Sequence, residues 1–207
     1  LLARWQHPQR GLVPPSQFIP LAEQTGLIVQ LGEFMLEQAC VLSVRLRNAG
    51  HKCPLSVNIS ARQFRQPGFE RHLHKVLAHH QVDPALLVLE VTESLMVTDQ
   101  LDTIASMSRL AAQGFKFSMD DFGTGYSSLN YLKRLPLYEL KIDRSFVDDL
   151  PHDANDVAIV TMILAMAQTL KLQVVAEGVE TTEQSAFLLA HGCQSLQGYL
   201  YSRPAPV

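Results

Sequence analysis

The chain has 207 residues and a formal net charge of −3, and 47% of its residues are hydrophobic. A chain of this length and polarity buries a sizeable core, so the composition excludes an intrinsically disordered protein. Its near-neutral charge, without a run of lysine or arginine, argues against nonspecific binding to nucleic-acid polymers or anionic lipids. No signal peptide opens the chain, and its most apolar stretch, 157–170, is too short to span a membrane. A cytoplasmic domain is therefore expected.

Short β-like runs alternate with longer amphipathic segments along the chain. Six runs predict strands, at 55–60, 86–92, 115–121, 138–143, 173–179 and 194–200. The segments between them predict helices, at 18–48, 68–80, 98–113, 156–171 and 182–191. Helix starts are predicted at Asp99, Asn155 and Thr181 or Thr182. Alternation of this kind predicts βαβ units and a parallel sheet.

The number of strands bears on the fold class. Six strands, with 1–5 interpreted as the end of a seventh, fall short of the eight strands and typically about 250 residues of a (β/α)8 barrel. We therefore predict an α/β fold of the TIM-barrel type, in one domain over 1–207, whose first strand or strands precede residue 1. An open doubly wound sheet is the alternative, because it needs no missing part.

Polar side chains fall late in successive predicted strands. Alternation along each strand places apolar residues on one face and polar residues on the other. Since barrel active sites form at the carboxyl ends of the strands, these polar residues are expected to meet at one mouth. They are Asn58, Glu90, Asp120, Asp121, Lys141 and Glu177. Each one alone is more often a helix cap or a solvated residue, so the prediction depends on the whole set.

The donor chemistry of this set favours hard cations. Carboxylate and amide oxygens suit Mg²⁺, Mn²⁺ or Ca²⁺ better than zinc. The adjacent Asp120 and Asp121 indicate two ions, the usual arrangement for in-line attack on a phosphodiester. Lys141 would hold the attacking water or a phosphate oxygen, and Glu177 would accept a proton. A single-metal barrel that enolises a carboxylate substrate also explains Lys141, but it gives Asp121 no role.

Two motifs, DDFGTGYSSL at 120–129 and LKIDRSFV at 140–147, resemble the EAL domain family of bacterial cyclic-di-GMP phosphodiesterases. The resemblance covers the chain through further motifs in order: LLARWQHPQRGLVPPSQFIPLAEQTGLI, SVNIS, LEVTES, VVAEGVET and LQGYLYSRP. It implies a (β/α)8-type barrel with one strand reversed, and hydrolysis of cyclic-di-GMP to linear pGpG. The implied cofactors are two Mg²⁺ or Mn²⁺ ions, with Ca²⁺ inhibitory or substituting. Leu1 and Leu2 match the second and third motif positions, so the family's glutamate is expected just before residue 1.

The resemblance also implies roles for single residues. The implied metal ligands are Asn58, Glu90, Asp120 and Asp121, with Asp120 shared between the two ions. The implied catalytic residues are Lys141, which holds the water, Glu177, a base or second-metal partner, and Glu93, which braces the loop after Asp121. The implied substrate contacts are Leu2, Arg4, Asp143, Glu180, Gln197 and Pro204.

The same resemblance implies partners beyond the substrate. A homodimer is expected through the helix at 126–135, with regulatory domains upstream and a membrane anchor conceivable in the full-length protein. The alternative function is a catalytically silent receptor that binds cyclic-di-GMP and signals through a partner. Such receptors have lost metal ligands, whereas every ligand position within this sequence is filled, which favours the enzyme.

Two residue types are interpreted as structural. The three cysteines, Cys40, Cys53 and Cys193, are odd in number and widely spaced, so we predict reduced, buried thiols. Four histidines crowd the predicted helix at 68–80 without a metal-binding motif, so we predict surface histidines. They are His72, His74, His79 and His80.

Overall fold

The computed structural model describes residues 1–96, 99–123 and 132–205. The helices are α1 (Pro15–Thr25), α2 (Ile28–Asn48), α3 (Ala61–Phe64), α4 (Phe69–His80), α5 (Gln100–Ala112), α6 (Ala154–Leu170) and α7 (Thr182–Ala190). The strands are β1 (Trp5–His7), β2 (Gly11–Val13), β3 (Leu55–Asn58), β4 (Leu87–Thr92), β5 (Lys116–Phe122), β6 (Glu139–Ile142), β7 (Gln173–Ala176) and β8 (Ser195–Leu196). Among the helices described, none combines the length and the apolar character that crossing a bilayer requires.

The chain forms two compact units, and the first comprises Leu1–Val91 with Arg109–Lys116. Here β1 and β2 form an antiparallel hairpin, whereas β3 and β4 pair in parallel. Helix α2 packs against α4 and β3. Leu36 of α2, Leu73 of α4 and Val57 of β3 are completely buried, so their burial supplies the apolar core of this unit.

The second unit comprises Thr92–Ser108 with Phe117–Val207. Its strands β5, β6, β7 and β8 pair in parallel in that order. Helix α6 packs on β6 and β7. Phe117, Leu140 and Ile142 of the strands and Ile163 of α6 are almost completely buried. Parallel strands joined by helices hold their carboxyl ends at a common edge, which is where polar side chains can gather.

The predicted strands from residue 55 onward all have counterparts, and the alternation of strands and helices confirms the α/β class. Residues 1–4 are not assigned to a strand, and the hairpin begins at Trp5, but the Leu1 amino group donates to the Ser56 carbonyl of β3, which is the contact expected for the end of a neighbouring strand. The helix predicted at 18–48 is two helices. Gly26 ends the first one because it adopts a left-handed φ of 81°, which favours glycine.

Helix starts were predicted with mixed success. Thr181 caps α7 and forms a capping box with Gln184, as its hydroxyl accepts from the Gln184 amide. The predicted cap at Asn155 is wrong, because Asp153 begins α6 instead. The Asp153 carboxylate accepts from the amides of Asn155 and Asp156, at 2.8 and 3.0 Å. Aspartate at this position also complements the helix dipole.

The cysteines are free, and Cys40 and Cys193 are buried as predicted. Cys53 is exposed, so the prediction is wrong for this residue. Burial, followed by the nearby negative charge of Glu37, raises the pKa of the Cys40 thiol to about 11. A thiol with such a pKa is almost entirely protonated at neutral pH and therefore unreactive.

The prediction of surface histidines holds for His79 but is wrong for the other three, which are half-buried. His74 contacts the Phe115 ring edge-on, with ring centroids 5.6 Å apart. His80 Nε2 lies 2.5 Å from Glu37 Oε1. The amphipathic pattern of residues 68–80 predicts the helix, but it does not show that part of the polar face of α4 packs against neighbouring elements.

Candidate active site

Strand β5 carries two acidic residues just before its last residue, Phe122, and an irregular backbone brings their carboxylates close together. In a regular strand, Asp120 and Asp121 would point to opposite faces. The pairing of β5 with β6 shifts its register between Met119 and Phe122, and Asp121 has a left-handed φ of 52°. Aspartate tolerates this conformation better than most residues, and bulges commonly redirect side chains at functional sites. The Asp121 amide donates to Asp120 Oδ1 over 3.2 Å, which stabilises the turn.

Lys141 from β6 lies among carboxylates of the neighbouring strand ends. Its Nζ is 2.9 Å from Asp120 Oδ1 and 2.6 Å from Glu177 Oε1. Glu177 directly follows β7, and its amide donates to the Ile142 carbonyl over 3.1 Å, which fixes its backbone. Lys141 is only 5% exposed. Since a buried ammonium is stable only when paired, the two carboxylates explain how β6 accommodates it.

The cluster carries more negative than positive charge. Carboxylate oxygens of Asp120, Asp121 and Glu177 all lie within 4.8 Å of one another, around the single ammonium of Lys141. Burial raises the pKa of Asp121, as do the charges of Asp120 and Asp143, while Lys141 acts in the opposite direction. Three hard oxygen donors with excess negative charge fit a divalent cation such as Mg²⁺ or Mn²⁺.

Other predicted residues support this cluster. Gln197 Nε2 donates to Glu177 Oε1 over 3.4 Å, a long hydrogen bond. Glu93 Oε1 accepts from the Gly123 amide over 3.2 Å, two residues beyond Asp121. The negative charge of Asp143 is close enough to Asp121 to raise the pKa of the Asp121 carboxyl group. The second unit therefore gathers seven predicted residues around its strand ends: Glu93, Asp120, Asp121, Lys141, Asp143, Glu177 and Gln197.

The first unit pairs two of the predicted metal ligands. Asn58 and Glu90 stand opposite each other in the parallel register of β3 and β4. The Ile59 amide donates to the Glu90 carbonyl over 2.8 Å, so the pairing continues just beyond Asn58. Glu90 is 6% exposed, whereas Asn58 is exposed. Asn58 thus ends β3 beside Glu90, which lies two residues before the end of β4, late in its strand as the sequence predicts.

Four predicted substrate contacts lie at the protein surface: Leu2, Arg4, Glu180 and Pro204. Arg4 Nη1 donates to the Ala3 carbonyl of its own segment. Glu180 Oε1 lies 3.1 Å from Arg144 Nη2. Most of the predicted dimer helix at 126–135 lies outside the described residues.

Arg144 is a residue that the sequence analysis missed. Its guanidinium pairs with Asp148 at 2.9 Å as well as with Glu180. Gly178, next to Glu177, has a left-handed φ of 73°, and a Cβ there would lie 2.4 Å from Arg144 Cγ. Gly178 therefore gives the Arg144 stem its space. The sequence feature that could have indicated Arg144 is its position directly after Asp143 in the motif LKIDRSFV.

Comparison with known proteins yields consistent matches over nearly the whole chain. A family model described as the EAL domain matches residues 1–204. The bifunctional diguanylate cyclase/cyclic di-GMP phosphodiesterase MucR of Pseudomonas aeruginosa is 51% identical over 99% of this chain and 30% of its own length. The cyclic di-GMP phosphodiesterase NbdA of the same organism is 45% identical over 100% of this chain and 26% of its own length. The chain thus spans between a quarter and a third of these curated relatives.

The fold can be compared with that of a solved structure. The structure described as the PaMucR phosphodiesterase in complex with c-di-GMP has a TM-score of 0.94 and 51% sequence identity. The match covers 98% of this chain and 83% of that one. This likeness confirms the predicted fold class, an α/β fold of the TIM-barrel type.

Proposed function

Because the chain belongs to the EAL domain family, we propose that it is a cyclic-di-GMP phosphodiesterase that produces linear pGpG. The observation that carries this proposal is the cluster of Asp120, Asp121 and Glu177 around Lys141. Three carboxylates and one ammonium at the ends of consecutive parallel strands suit a phosphate ester held with divalent cations. We infer cyclic-di-GMP as the substrate because the relatives MucR and NbdA are both named as cyclic di-GMP phosphodiesterases.

The cofactor in this proposal is a pair of Mg²⁺ or Mn²⁺ ions. Asp120 and Asp121 would hold them in the second unit, with Glu177 as a further partner. The family resemblance assigns Asn58 and Glu90 to the same role, and their pairing at strand ends supports that assignment. When bound, such ions neutralise charge that develops on phosphate oxygens and lower the pKa of water.

Lys141 has the role of positioning the attacking water. Its ammonium has three donors, and Asp120 and Glu177 fix its direction at 2.9 and 2.6 Å. A lysine held in this way presents a fixed positive charge that orients a water oxygen or a phosphate oxygen without further rearrangement. Burial excludes bulk water, which strengthens each of these interactions.

Glu177 has the role of proton acceptor. In the reaction, the water oxygen forms a bond to phosphorus, the bond from phosphorus to the ribose O3′ breaks, and that O3′ takes up a proton. Glu177 accepts the proton that the water loses. Gln197 donates to the same carboxylate and so orients it. Glu93 positions the turn at Gly123.

The remaining assignments extend this proposal to the substrate. Contacts with cyclic-di-GMP are proposed for Leu2, Arg4, Asp143, Glu180, Gln197 and Pro204. Arg144 would set the direction of Glu180 through their ion pair. The homodimer, the cytoplasmic location and the upstream regulatory domains stay predictions from the resemblance.

The test is hydrolysis of cyclic-di-GMP by the full-length protein, with linear pGpG measured by chromatography. We expect product with Mg²⁺ and none after chelation. Asp121→Asn should lower turnover far more than cyclic-di-GMP binding, because it weakens cation binding while leaving other substrate contacts in place. Equal losses of turnover and binding would contradict the two-cation assignment. Tight binding without turnover by the wild-type protein would instead support a receptor.

A further inference from the structure

Two histidines and one glutamate meet in the first unit, where α4 packs against α2. This histidine cluster consists of Glu37 of α2 and of His79 and His80 at the end of α4. One possible ligand atom from each side chain lies within 4.8 Å of the other two. None of the three residues has a role in the proposed hydrolysis, so that reaction does not account for the cluster.

Both helices hold their part of the histidine cluster on a packed backbone. Leu36, which directly precedes Glu37, is completely buried. Leu77, one turn before His80, is 4% exposed. Side chains that extend from packed helices keep their relative positions better than side chains on loops, so little reorganisation is needed to bind a ligand.

The ligand atoms are accessible to an ion from solvent. His79 is exposed, and the Glu37 side chain retains 43% of its accessible surface. His80 is more covered, and its Nε2 lies 2.5 Å from Glu37 Oε1. The two imidazole rings stand edge-on to each other, with their centroids 4.8 Å apart. A hydrated cation can therefore approach all three groups from the exposed side of His79 and Glu37.

The distances are close to those of a tetrahedral metal site. Zinc binds nitrogen and carboxylate oxygen at about 2.0–2.2 Å, so its ligand atoms lie about 3.3 Å from one another. The separation of His80 Nε2 and Glu37 Oε1 would widen by about 0.8 Å, and the longer separations would shorten by at most about 1.5 Å. Rotation of side chains supplies changes of this size, so the helices need not move.

The electrostatics of the histidine cluster favour a cation. Helix α4 ends at His80, so the negative end of its dipole lies beside both imidazoles. Glu37 adds a carboxylate, whereas neutral imidazoles add no charge. Arg47 of α2 donates to the Gln81 carbonyl over 2.7 Å, so its guanidinium is bound to backbone just beyond the helix. A divalent ion would therefore meet one negative side chain and the negative helix end.

We propose that the histidine cluster binds a zinc ion that joins α2 to α4. The ligands would be Glu37 and the two imidazoles, with water in the fourth position. The ion would replace the proton between His80 Nε2 and Glu37 Oε1, leaving the imidazole neutral with its proton on Nδ1. Imidazole nitrogens suit zinc, whereas Mg²⁺ prefers oxygen ligands. This site is separate from the cluster around Lys141 and does not rest on the proposed hydrolysis.

Calorimetric titration of the full-length protein with Zn²⁺ tests this site. The protein carries no histidine tag, is first freed of metal with EDTA and dialysed, and is titrated with and without millimolar Mg²⁺. We expect a zinc-binding event that Mg²⁺ leaves unchanged, because two of the three ligands are imidazole nitrogens. Loss of all zinc binding in Mg²⁺ would overturn the proposal, since it would show that zinc binds only where Mg²⁺ binds.

Variants assign the zinc to the histidine cluster. His79→Ala and Glu37→Gln should each weaken this binding at least about tenfold, because each removes a ligand. His79 is exposed, so its removal leaves the fold intact. His51→Ala is the matched control, since it removes an exposed histidine of the same unit outside the cluster and should leave the affinity unchanged. Equal affinities of His79→Ala and His51→Ala would overturn the proposal.

Asp121→Asn separates this site from the proposed active site. It weakens cation binding around Lys141, so the zinc-binding event that requires His79 should persist in this variant with the wild-type affinity. Zinc binding that is lost in Asp121→Asn but retained in His79→Ala would place the ion at the cluster around Lys141, and the proposal would be overturned.

Discussion

Buried polar groups are treated in opposite ways in the cluster around Lys141 and at Gln63. In the cluster, the Lys141 ammonium meets two carboxylates within 2.9 Å. Between α2 and α3, the Gln63 carboxamide meets no hydrogen-bond partner among the described residues. A buried charge without a counter-charge costs several kcal/mol, whereas an unsatisfied amide costs about 1–3 kcal/mol. The comparison teaches that an unpaired neutral amide costs less than an unpaired buried ammonium, so Gln63 can stay without a partner whereas Lys141 has to be paired.

Removing Lys141 should have the largest effect. Lys141→Met leaves Asp120 and Glu177 without their ammonium, so we expect the free energy of unfolding to fall by about 3 kcal/mol in EDTA. Hydrolysis should be lost as well. Because the carboxylates then lack a counter-charge, Mg²⁺ should raise the unfolding temperature of the variant more than that of the wild type. Thermal denaturation with and without Mg²⁺ measures both effects.

The matched control for this variant is Lys133→Ala, which removes an exposed lysine of the same unit. Its stability should stay within about 0.5 kcal/mol of the wild type. If Lys141→Met were as stable as this control in EDTA, the ion pairs at 2.9 and 2.6 Å would not hold the cluster together.

Gln63→Leu should change stability in the other direction. Leucine has a similar size and needs no hydrogen bonds, so we expect the free energy of unfolding to rise by about 1–2 kcal/mol. Chemical denaturation measures the change. A loss of stability would mean that the Gln63 carboxamide finds partners in solution, and the contrast between the two regions would disappear.

Glu93→Ala should have the smallest effect on stability. It removes the acceptor of the Gly123 amide, so we expect a loss of about 1 kcal/mol and faster hydrogen exchange at Gly123. Glu93→Gln keeps a side-chain oxygen and should exchange more slowly than the alanine variant. Unchanged exchange at Gly123 in Glu93→Ala would show that the turn after Asp121 does not depend on Glu93.

The sequence predicted most of the elements because strand periodicity and helix caps are local. The order of β3 to β8 and the strand-end positions of Asn58, Glu90, Lys141 and Glu177 followed from it. The bulge at Asp120 and Asp121 did not, because simple alternation separates the two carboxylates. A left-handed φ at Asp121 depends on neighbours that the local pattern does not contain.

Tertiary features were the least predictable. The unsatisfied carboxamide of Gln63 depends on the packing of α2 beside α3, where Gly32 leaves room. The ion pairs of Arg144 depend on the loop that contains Gly178 and Glu180. The sequence 68–80 showed four histidines but not which of them would be covered. Such features require coordinates, since the contacting residues are far apart in the chain.

The most direct test of the central claim is the rate of pGpG formation by the full-length protein as a function of Mg²⁺ concentration, for wild type and Asp120→Asn. Asparagine keeps the size of the side chain but removes one charge from the cluster. The account predicts a wild-type rate that saturates with Mg²⁺, and a rate for Asp120→Asn that is at least about 100-fold lower. Hydrolysis by the wild type in EDTA, or equal rates for the two proteins, would contradict it.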